Sequence, residues 1–312
     1  MLTLKAPAKI NWFLKILGLR DDGFHEIQSL IQKITLYDIL TINPEKDMIL
    51  TTNSSIPVKQ NLVYKTALLL KEACGVKKGA HIHLEKYIPM AAGLGGGSSD
   101  AASTLTGLNK LWALNLSKTK LFELAQQLGS DVPVFLNGPL AFVEGRGEKA
   151  TVLNAAKKFD ILLVKPPFDI STAWAYGQLK KSYELGVMSY ELKDTKNSKR
   201  KLIEWLTKKA KKMDNIKFFN ILEKAKLSIF KNKNILYPGD SSFSNDFEAV
   251  IMKRFPAVSD IKKRLLEEGA MFSMMSGSGS AVFGVFSSKK KAAKAANAFK
   301  HYWTAVVKTI TD

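Results

Sequence analysis

The chain of 312 residues contains a single cysteine, Cys74, so no intrachain disulfide can form. Small folds held together by disulfides are therefore excluded, and the composition is typical of a reducing compartment. The sequence contains no run of 18 apolar residues that could span a membrane, and no signal-peptide-like apolar region near Met1. With 46% hydrophobic residues, the chain has enough apolar side chains for a sizeable core. We expect a cytoplasmic protein.

Several common site signatures are also missing. The four histidines and one cysteine form no cluster typical of a zinc site. No Gly-Lys-Ser/Thr sequence closes a glycine-rich loop, which excludes a Walker A motif, and the glycine spacing does not match the dinucleotide fingerprint.

Acidic residues are scarce relative to basic ones. The chain has 47 Lys and Arg against 28 Asp and Glu, a net charge of +19. Such a balance favours anionic partners: nucleic acid, membrane surfaces or phosphorylated small molecules. Residues 177–233 alone hold 16 basic and 6 acidic residues, a net charge of +10. Apolar residues recur there at helical spacing, so we expect an amphipathic helical hairpin over about 186–235, without catalytic residues.

The most informative stretch is residues 89–102, Pro-Met-Ala-Ala-Gly-Leu-Gly-Gly-Gly-Ser-Ser-Asp-Ala-Ala. An alternating strand pattern at 81–88 precedes it, and a helical pattern over 99–112, with Ser98 and Ser99 as caps, follows. Glycines allow the backbone to approach an anion closely, and a helix N-terminus supplies aligned N–H groups. The order of strand, glycine loop and helix predicts a phosphate cradle, with a plain capped turn as the alternative.

The remaining patterns mix strands and helices without a repeat, which predicts an α+β fold rather than alternating βα units. A domain boundary is expected near residue 158. Further strands are predicted at 2–16, 34–42, 139–144, 161–165, 271–275, 281–286 and 303–310. Further helices are predicted at 61–73, 118–128, 201–213, 218–230, 246–254, 259–268 and 288–300.

Several segments, in order along the chain, resemble motifs of the GHMP kinases, the family of galactokinase, homoserine kinase and mevalonate kinase. The glycine stretch is similar to the central motif of that family. The other matching segments are Ala6–Asn11, Asp22–His25, Gly129–Phe135, Ser171–Trp174, Phe243–Asp246 and Ser276–Ser280. Together they extend from residue 6 to about residue 286.

This resemblance implies two domains with the active site between them. The first, residues 1–158, would be an ATP-binding domain similar to a small-subunit ribosomal protein, and the second, 159–312, ferredoxin-like. The implied small-molecule partners are ATP, with Mg²⁺, and a cytidine diphosphate-linked methylerythritol. No nucleic-acid or membrane partner is expected. The metal ligands stay open between a hydroxyl of Ser98 or Ser99 and water alone.

The resemblance also assigns two catalytic residues. Asp131 corresponds to the proposed general base, although an aspartate before a proline-containing turn is more commonly a helix cap. Lys9 would lie beside this aspartate and stabilise both its ionised form and the transferring phosphoryl group. The alternative for Lys9 is a lysine at a strand edge with its amine in solvent.

Further residues are assigned to ligands by the same resemblance. Phe24 and Tyr176 would sandwich cytosine, and His25 would bond its polar edge, although the family usually has tyrosine at position 24. The other residues expected at the phosphoryl acceptor are Asn11, Gly277 and Gly279. The residues expected around ATP are Asn61, Lys86, Pro89, Met90, Ala91, Ala92, Gly93, Leu94, Gly95, Gly96, Gly97, Ser98 and Ser99.

Two other functions compete with this one. A mevalonate-type kinase would share the glycine loop, but the three adjacent glycines at 95–97 and the Asp-Gly-Phe-His segment favour the cytidyl substrate. An RNA-binding protein would explain the charge, but aromatic residues do not interleave the basic segment as RNA stacking requires.

Overall fold

The computed structural model describes residues 1–154, 156–184 and 244–312. The described strands are β1 Leu2–Leu19, β2 His25–Glu45, β3 Met48–Thr52, β4 Gly79–Glu85, β5 Leu140–Gly145, β6 Lys149–Val152, β7 Asp160–Lys165, β8 Phe272–Met275, β9 Val282–Phe286 and β10 Trp303–Lys308. The described helices are α1 Leu62–Cys74, α2 Gly96–Leu111, α3 Lys118–Leu128, α4 Val132–Phe135, α5 Thr172–Glu184, α6 Glu248–Arg254, α7 Pro256–Glu267 and α8 Lys289–Ala296.

The first sheet is organised by the long strand β2. It pairs with β1 along its length, with β4 through residues 39–45, and with β5 through residues 27–32, always antiparallel. Strand β3 joins β4 in parallel, and β6 extends the sheet beyond β5. The β1–β2 pairing shifts register between Pro7 and Ala8 and again between Asn11 and Phe13. Such bulges re-aim side chains, and the two shifts flank Lys9 and Asn11.

The second sheet has four antiparallel strands in the order β10-β7-β9-β8. One face packs on the first sheet, where Trp12 of β1 contacts Phe159 and Phe283 edge to face at 5.2 and 5.8 Å between ring centroids. The other face packs on helices α5 to α8. Helices α1, α2 and α3 cover the first sheet through a separate core. The site described below lies where these layers meet.

Local signals explain several helix ends. The Asn61 and Ser117 side chains accept hydrogen bonds from Val63 N and Lys120 N, and thereby cap α1 and α3. Gly75, with φ +62°, ends α1 in the left-handed conformation that glycine adopts without strain. None of the helices in the described ranges is both long and apolar enough to cross a membrane.

The predicted α+β class is confirmed, but several bounds were wrong. The strand predicted at 34–42 extends from His25 to Glu45, and the helix predicted from residue 99 begins at Gly96. Two strands, β3 and β6, and two helices, α4 and α5, were not predicted. The helical hairpin expected at 186–235 lies outside the described residues. The domain boundary near residue 158 stays a prediction.

Candidate active site

One cavity of about 890 Å³ gathers most of the expected site residues. Its walls come from β1, the β1–β2 hairpin, the glycine loop, the segment before α4 and helix α5. The expected residues that line it are Lys9, Asn11, Phe24, His25, Asn61, Lys86, Pro89, Met90, Ala91, Ala92, Gly93, Leu94, Gly95, Gly96, Gly97, Ser98, Asp131, Tyr176 and Gly277. Ser99 and Gly279 do not line it.

The glycine loop forms a sharp turn directly into α2. Gly93 and Gly95 have φ values of +73° and +72°, and Gly95 takes the N-cap position of the helix. Ser98 and Ser99 therefore lie inside the first turn, and their predicted role as caps was wrong. The Ser99 hydroxyl is buried without a partner among the described residues. The loop itself has the geometry of an anion cradle, with the N-terminus of a 16-residue helix at its end.

The loop is fixed to both sheets by main-chain hydrogen bonds. Lys9 N donates to Leu94 O at 2.9 Å, and Ala281 N donates to Ala92 O at 3.1 Å. The Ser276 hydroxyl donates to Gly93 O at 3.0 Å. Because the β1 edge not paired with β2 holds the loop, the Lys9 side chain is placed beside Gly95 by the backbone itself.

Lys9 is buried, with 4% of its surface exposed, so it is not a lysine whose amine reaches solvent. Its Nζ donates to Asn11 Oδ1 at 2.7 Å and lies 3.9 Å from Asp131 Oδ2. Burial lowers the pKa of Lys9, and the charge of Asp131 opposes this shift. Asn11 is held in turn by its bond to Ser29 Oγ at 2.8 Å. The predicted Lys9–Asp131 neighbourhood is present in the structure.

Asp131 stands at the N-cap position of α4, but its side chain makes no capping hydrogen bond. The carboxylate is 41% exposed on the cavity side, which leaves it accessible to a hydroxyl group. At the other end of α4, Lys33 Nζ donates to Phe135 O at 3.0 Å and Asn137 O at 2.7 Å. Burial lowers the pKa of Lys33 to about 8. Lys33 therefore fixes the short helix that presents Asp131.

Lys86 was expected to be either a solvated charge or an ATP contact, and it is held in a buried ion cluster. Its Nζ bonds Asp38 Oδ2 and, at 2.7 Å, Asp100 Oδ2. Asp38 is fully buried and also accepts from Tyr87 N at 2.6 Å and Ile88 N at 2.8 Å. Burial, reinforced by the neighbouring Asp38 charge, raises the pKa of Asp100 against the opposing effect of Lys86. The cluster joins β2, the segment after β4 and the first part of α2.

The far end of the cavity is aromatic. The His25 and Tyr176 rings stack at 4.9 Å between centroids with an interplanar angle of 25°. His25 Nε2 is buried and has no hydrogen-bond partner among the described residues. Burial, and secondly the charge of Lys180, lower the pKa of His25, which favours its neutral form. Phe24 is half exposed, and the Arg146 guanidinium lies 4.6 Å from its ring centroid.

The loop Ser276–Gly279 closes the cavity beside Lys9. Gly277 and Gly279 have φ values of +54° and +83°, which glycine tolerates. Asn245, 3% exposed, donates from Nδ2 to Met275 O and Gly277 O at 2.9 and 2.7 Å. Gly279 contributes to the shape of the loop but packs on Met275 and Ile170 rather than the cavity.

The sequence patterns did not single out Asp38, Asp100, Arg146 or Lys33, and they gave no anchoring role to Asn245. Asn245 belonged to a matched segment, so its position was marked without a role. Nothing local distinguishes Asp38 on β2 or Arg146 in a hairpin turn, because their partners are distant in the chain.

Comparison with known proteins identifies the class. Residues 61–139 match the GHMP kinases N terminal domain, and residues 230–305 match the GHMP kinases C terminal domain. The chain is 41% identical to the 4-diphosphocytidyl-2-C-methyl-D-erythritol kinase of Thermodesulfovibrio yellowstonii, covering 100% of this chain and 99% of the relative. The protein of the same name from Caldicellulosiruptor saccharolyticus is 39% identical over 99% and 96% of the two chains. The chain belongs to the GHMP kinase family and is an ATP-dependent small-molecule kinase.

Solved structures agree with this class. A crystal structure of 4-(cytidine 5'-diphospho)-2C-methyl-D-erythritol kinase matches with a TM-score of 0.75 at 29% identity, covering 99% of each chain. Mevalonate kinase from L. major matches with a TM-score of 0.69 at 14% identity, which shows the shared fold alone. Within the GHMP kinases the chain therefore groups with the 4-diphosphocytidyl-2-C-methyl-D-erythritol kinases.

Proposed function

We propose that this protein transfers the γ-phosphoryl group of ATP to the 2-hydroxyl of 4-diphosphocytidyl-2-C-methyl-D-erythritol in the cytoplasm. The products are the 2-phosphate and ADP, and the reaction belongs to non-mevalonate isoprenoid synthesis. The names of the full-length relatives support this substrate, and the arrangement of the cavity supports it independently.

The supporting observation is the order of groups along one cavity. Lys9 adjoins Gly95 of the glycine loop, and Asp131 adjoins Lys9 at 3.9 Å. Burial raises the pKa of Tyr176, the charge of Asp131 adds to this shift, and the Tyr176 ring stacks on His25. The spatial order along the cavity is therefore the phosphate cradle, then the Lys9–Asp131 pair, then the aromatic site for the nucleobase. A molecule with a hydroxyl group at one end and a nucleobase at the other fits that order.

The chemical step follows from this arrangement. The 2-hydroxyl oxygen forms a bond to the γ-phosphorus while the bond from that phosphorus to the bridging oxygen of ADP breaks. Asp131 accepts the hydroxyl proton, and the electron pair of the broken bond leaves with ADP. The Lys9 ammonium stabilises the ionised aspartate and the charge on the transferring group. Asn11 and Ser29 keep that ammonium in place.

At the other end, the backbone N–H groups of the glycine loop and of the α2 N-terminus bind the ATP phosphates. Lys86 is already paired with two carboxylates, so we assign it to positioning the loop rather than to phosphate binding. The described residues contain no group of three His, Cys, Asp or Glu that could hold a metal. The Ser98 hydroxyl lines the cavity and fits Mg²⁺ held mainly by phosphate oxygens and water, where the ion would neutralise phosphate charge.

A substrate panel tests the proposal. Purified protein is assayed by coupled ADP release with 4-diphosphocytidyl-2-C-methyl-D-erythritol, mevalonate and homoserine. We expect turnover with the cytidyl compound alone, and a new phosphomonoester at carbon 2 in the ³¹P spectrum. Phosphorylation of mevalonate without the cytidyl compound would replace this proposal by the mevalonate-type alternative.

Asp131→Asn tests the assignment of the base. The substitution keeps the size of the side chain but removes the proton acceptor, so kcat should fall by about 10²–10⁴-fold. Stability should change little, because the carboxylate is partly exposed and makes no capping bond. The KM for ATP should also stay near the wild-type value. A near-normal kcat would leave Asp131 without a catalytic role.

A further inference from the structure

Arg146 occupies the turn between β5 and β6, and this turn is held rigidly at the cavity wall. Gly145 and Gly147 on either side have φ values of +73° and +119°. Gly145 N donates to Glu26 Oε1 at 3.1 Å, and Arg146 N donates to Glu148 Oε2 at 2.6 Å. The backbone that carries the guanidinium is therefore fixed on both sides.

Among the described residues, the Arg146 guanidinium has no carboxylate partner of its own. In the described part of the chain no Asp or Glu lies within salt-bridge distance of it. Asp22 interacts electrostatically with Arg146, but its carboxylate is held by Arg20 Nε at 3.2 Å and accepts from Phe24 N at 3.1 Å. Arg146 lines the cavity and lies over the Phe24 ring. A half-buried arginine with five N–H donors is thus available to a ligand anion.

The same turn also reaches the catalytic aspartate. A side chain built on Gly147 would come within 3.4 Å of Asp131 Oδ1. Two consecutive residues therefore lie beside the two parts of the proposed substrate site: Arg146 over Phe24 at the base site, and Gly147 near Asp131 at the acid–base site. In the proposed substrate, a diphosphate separates the cytidine from the methylerythritol.

We propose that Arg146 binds the diphosphate of the cytidyl substrate. This inference rests on the proposed function. A planar guanidinium binds phosphate oxygens through two parallel hydrogen bonds, which lysine cannot do. The contact selects substrates that carry a charged group between the base and the acceptor hydroxyl, and it gives a role to a cation that has no carboxylate partner among the described residues.

Calorimetric titration tests the contact, with a nonhydrolysable ATP analogue saturating the nucleotide site. Cytidine, CMP and CDP are titrated into wild-type protein, Arg146→Met and Arg146→Lys. In wild type we expect CDP to bind about 10–100-fold more tightly than cytidine, the scale of one or two charge-assisted hydrogen bonds. Arg146→Met should remove most of that advantage, and Arg146→Lys should keep part of it.

Three control variants separate a contact from other causes. Lys149→Met removes an exposed charge from the same hairpin and should keep the full advantage of CDP. Phe24→Ala should weaken cytidine and CDP by equal factors. Lys180→Met removes another positive charge from the cavity wall and should lower the advantage of CDP over cytidine less than Arg146→Met does. If both variants lose the same share of the CDP advantage, the effect comes from the overall positive charge of the cavity, and the assignment to Arg146 is wrong.

The outcomes also separate this inference from the proposed function. If Arg146→Met keeps the CDP advantage of wild type, the diphosphate contact is wrong and the cytidyl substrate stands. If wild-type protein binds neither cytidine nor CDP, the proposed function fails and the contact with it. In steady-state assays, Arg146→Met should raise the KM for the cytidyl substrate while kcat and the KM for ATP stay within about twofold. Arg146→Lys supplies the same comparison if the methionine variant folds poorly.

Discussion

Gly93→Ala is expected to separate the glycine loop from the second sheet. A Cβ atom at Gly93 would overlap the Ser276 carbonyl oxygen and lie 2.9 Å from the carbonyl carbon and 3.1 Å from Gly279 N. All three obstacles are backbone atoms, so no side-chain rotation relieves them. The φ of +73° is a further obstacle for alanine.

The magnitude follows from two contributions. An L residue in the left-handed region costs about 1–2 kcal/mol. Moving the loop away from Ser276 also lengthens the Ser276 Oγ–Gly93 O and Ala281 N–Ala92 O hydrogen bonds, each contributing about 0.5–1.5 kcal/mol. The variant should therefore lose about 2–5 kcal/mol of unfolding free energy. Its KM for ATP should rise as well, because the displaced loop is the proposed phosphate cradle.

Urea unfolding with and without a nonhydrolysable ATP analogue measures both effects. Gly97→Ala is the matched control, because that position has no atom within 4 Å of a new Cβ and lies in the first turn of α2. It should retain or gain stability, by up to about 1 kcal/mol. If Gly93→Ala unfolds at the same urea concentration as Gly97→Ala, the contact between the glycine loop and Ser276 does not matter for the fold.

Two further predictions concern buried charges. Asp38→Asn should cost about 3–5 kcal/mol of unfolding free energy, since it removes the fully buried carboxylate that pairs with Lys86. Asp100→Asn should cost less, since burial raises the pKa of Asp100 to about 7 and its charge is therefore held less strongly, and equal costs in urea unfolding would contradict the assigned roles. The pKa of Lys33 is about 8 in the folded protein against 10.5 in the unfolded chain, so the unfolded chain binds more protons between these values. Wild-type stability relative to Lys33→Met should therefore rise from pH 8 to 10.5, by up to about 3 kcal/mol, and a pH-independent difference would show that the Lys33 ammonium is not buried.

Local sequence patterns were sufficient to predict those elements whose structure depends on residues close together in the chain. Asn61 caps α1 as predicted, and the strand, glycine loop and helix occur in the predicted order. The predicted serine caps failed because Gly95 turns the chain directly into α2. The start of β2 was missed because polar Gln28 and Ser29 interrupt the apolar pattern there, although both are buried and Ser29 is hydrogen-bonded across to β1.

The parts of the site that were missed depend on long-range pairing. Asp38 meets Lys86 only because β2 and β4 pair in one register, and Arg146 meets Phe24 only because two hairpin tips meet beside β5. No periodicity or spacing along the chain marks such pairs. The resemblance to a family marked Lys9 and Asp131 as candidates, but it did not show that Asn11 bonds Lys9 or that Lys33 holds the helix after Asp131.

The edge of β1 that does not pair with β2 makes the yield of active protein depend on the order in which parts of the chain fold. Lys9 N on this edge bonds Leu94 O, whereas Leu14, farther along, exchanges main-chain bonds with Ser244 O and Asp246 N. During synthesis Leu94, the partner of Lys9, is made well before Ser244 and Asp246, the partners of Leu14, which follow β1 by about 230 residues. Until then part of this edge is open to pairing with other chains. Mutations that weaken the Ser244–Asp246 attachment should therefore reduce the yield of active protein more than the activity of each folded molecule.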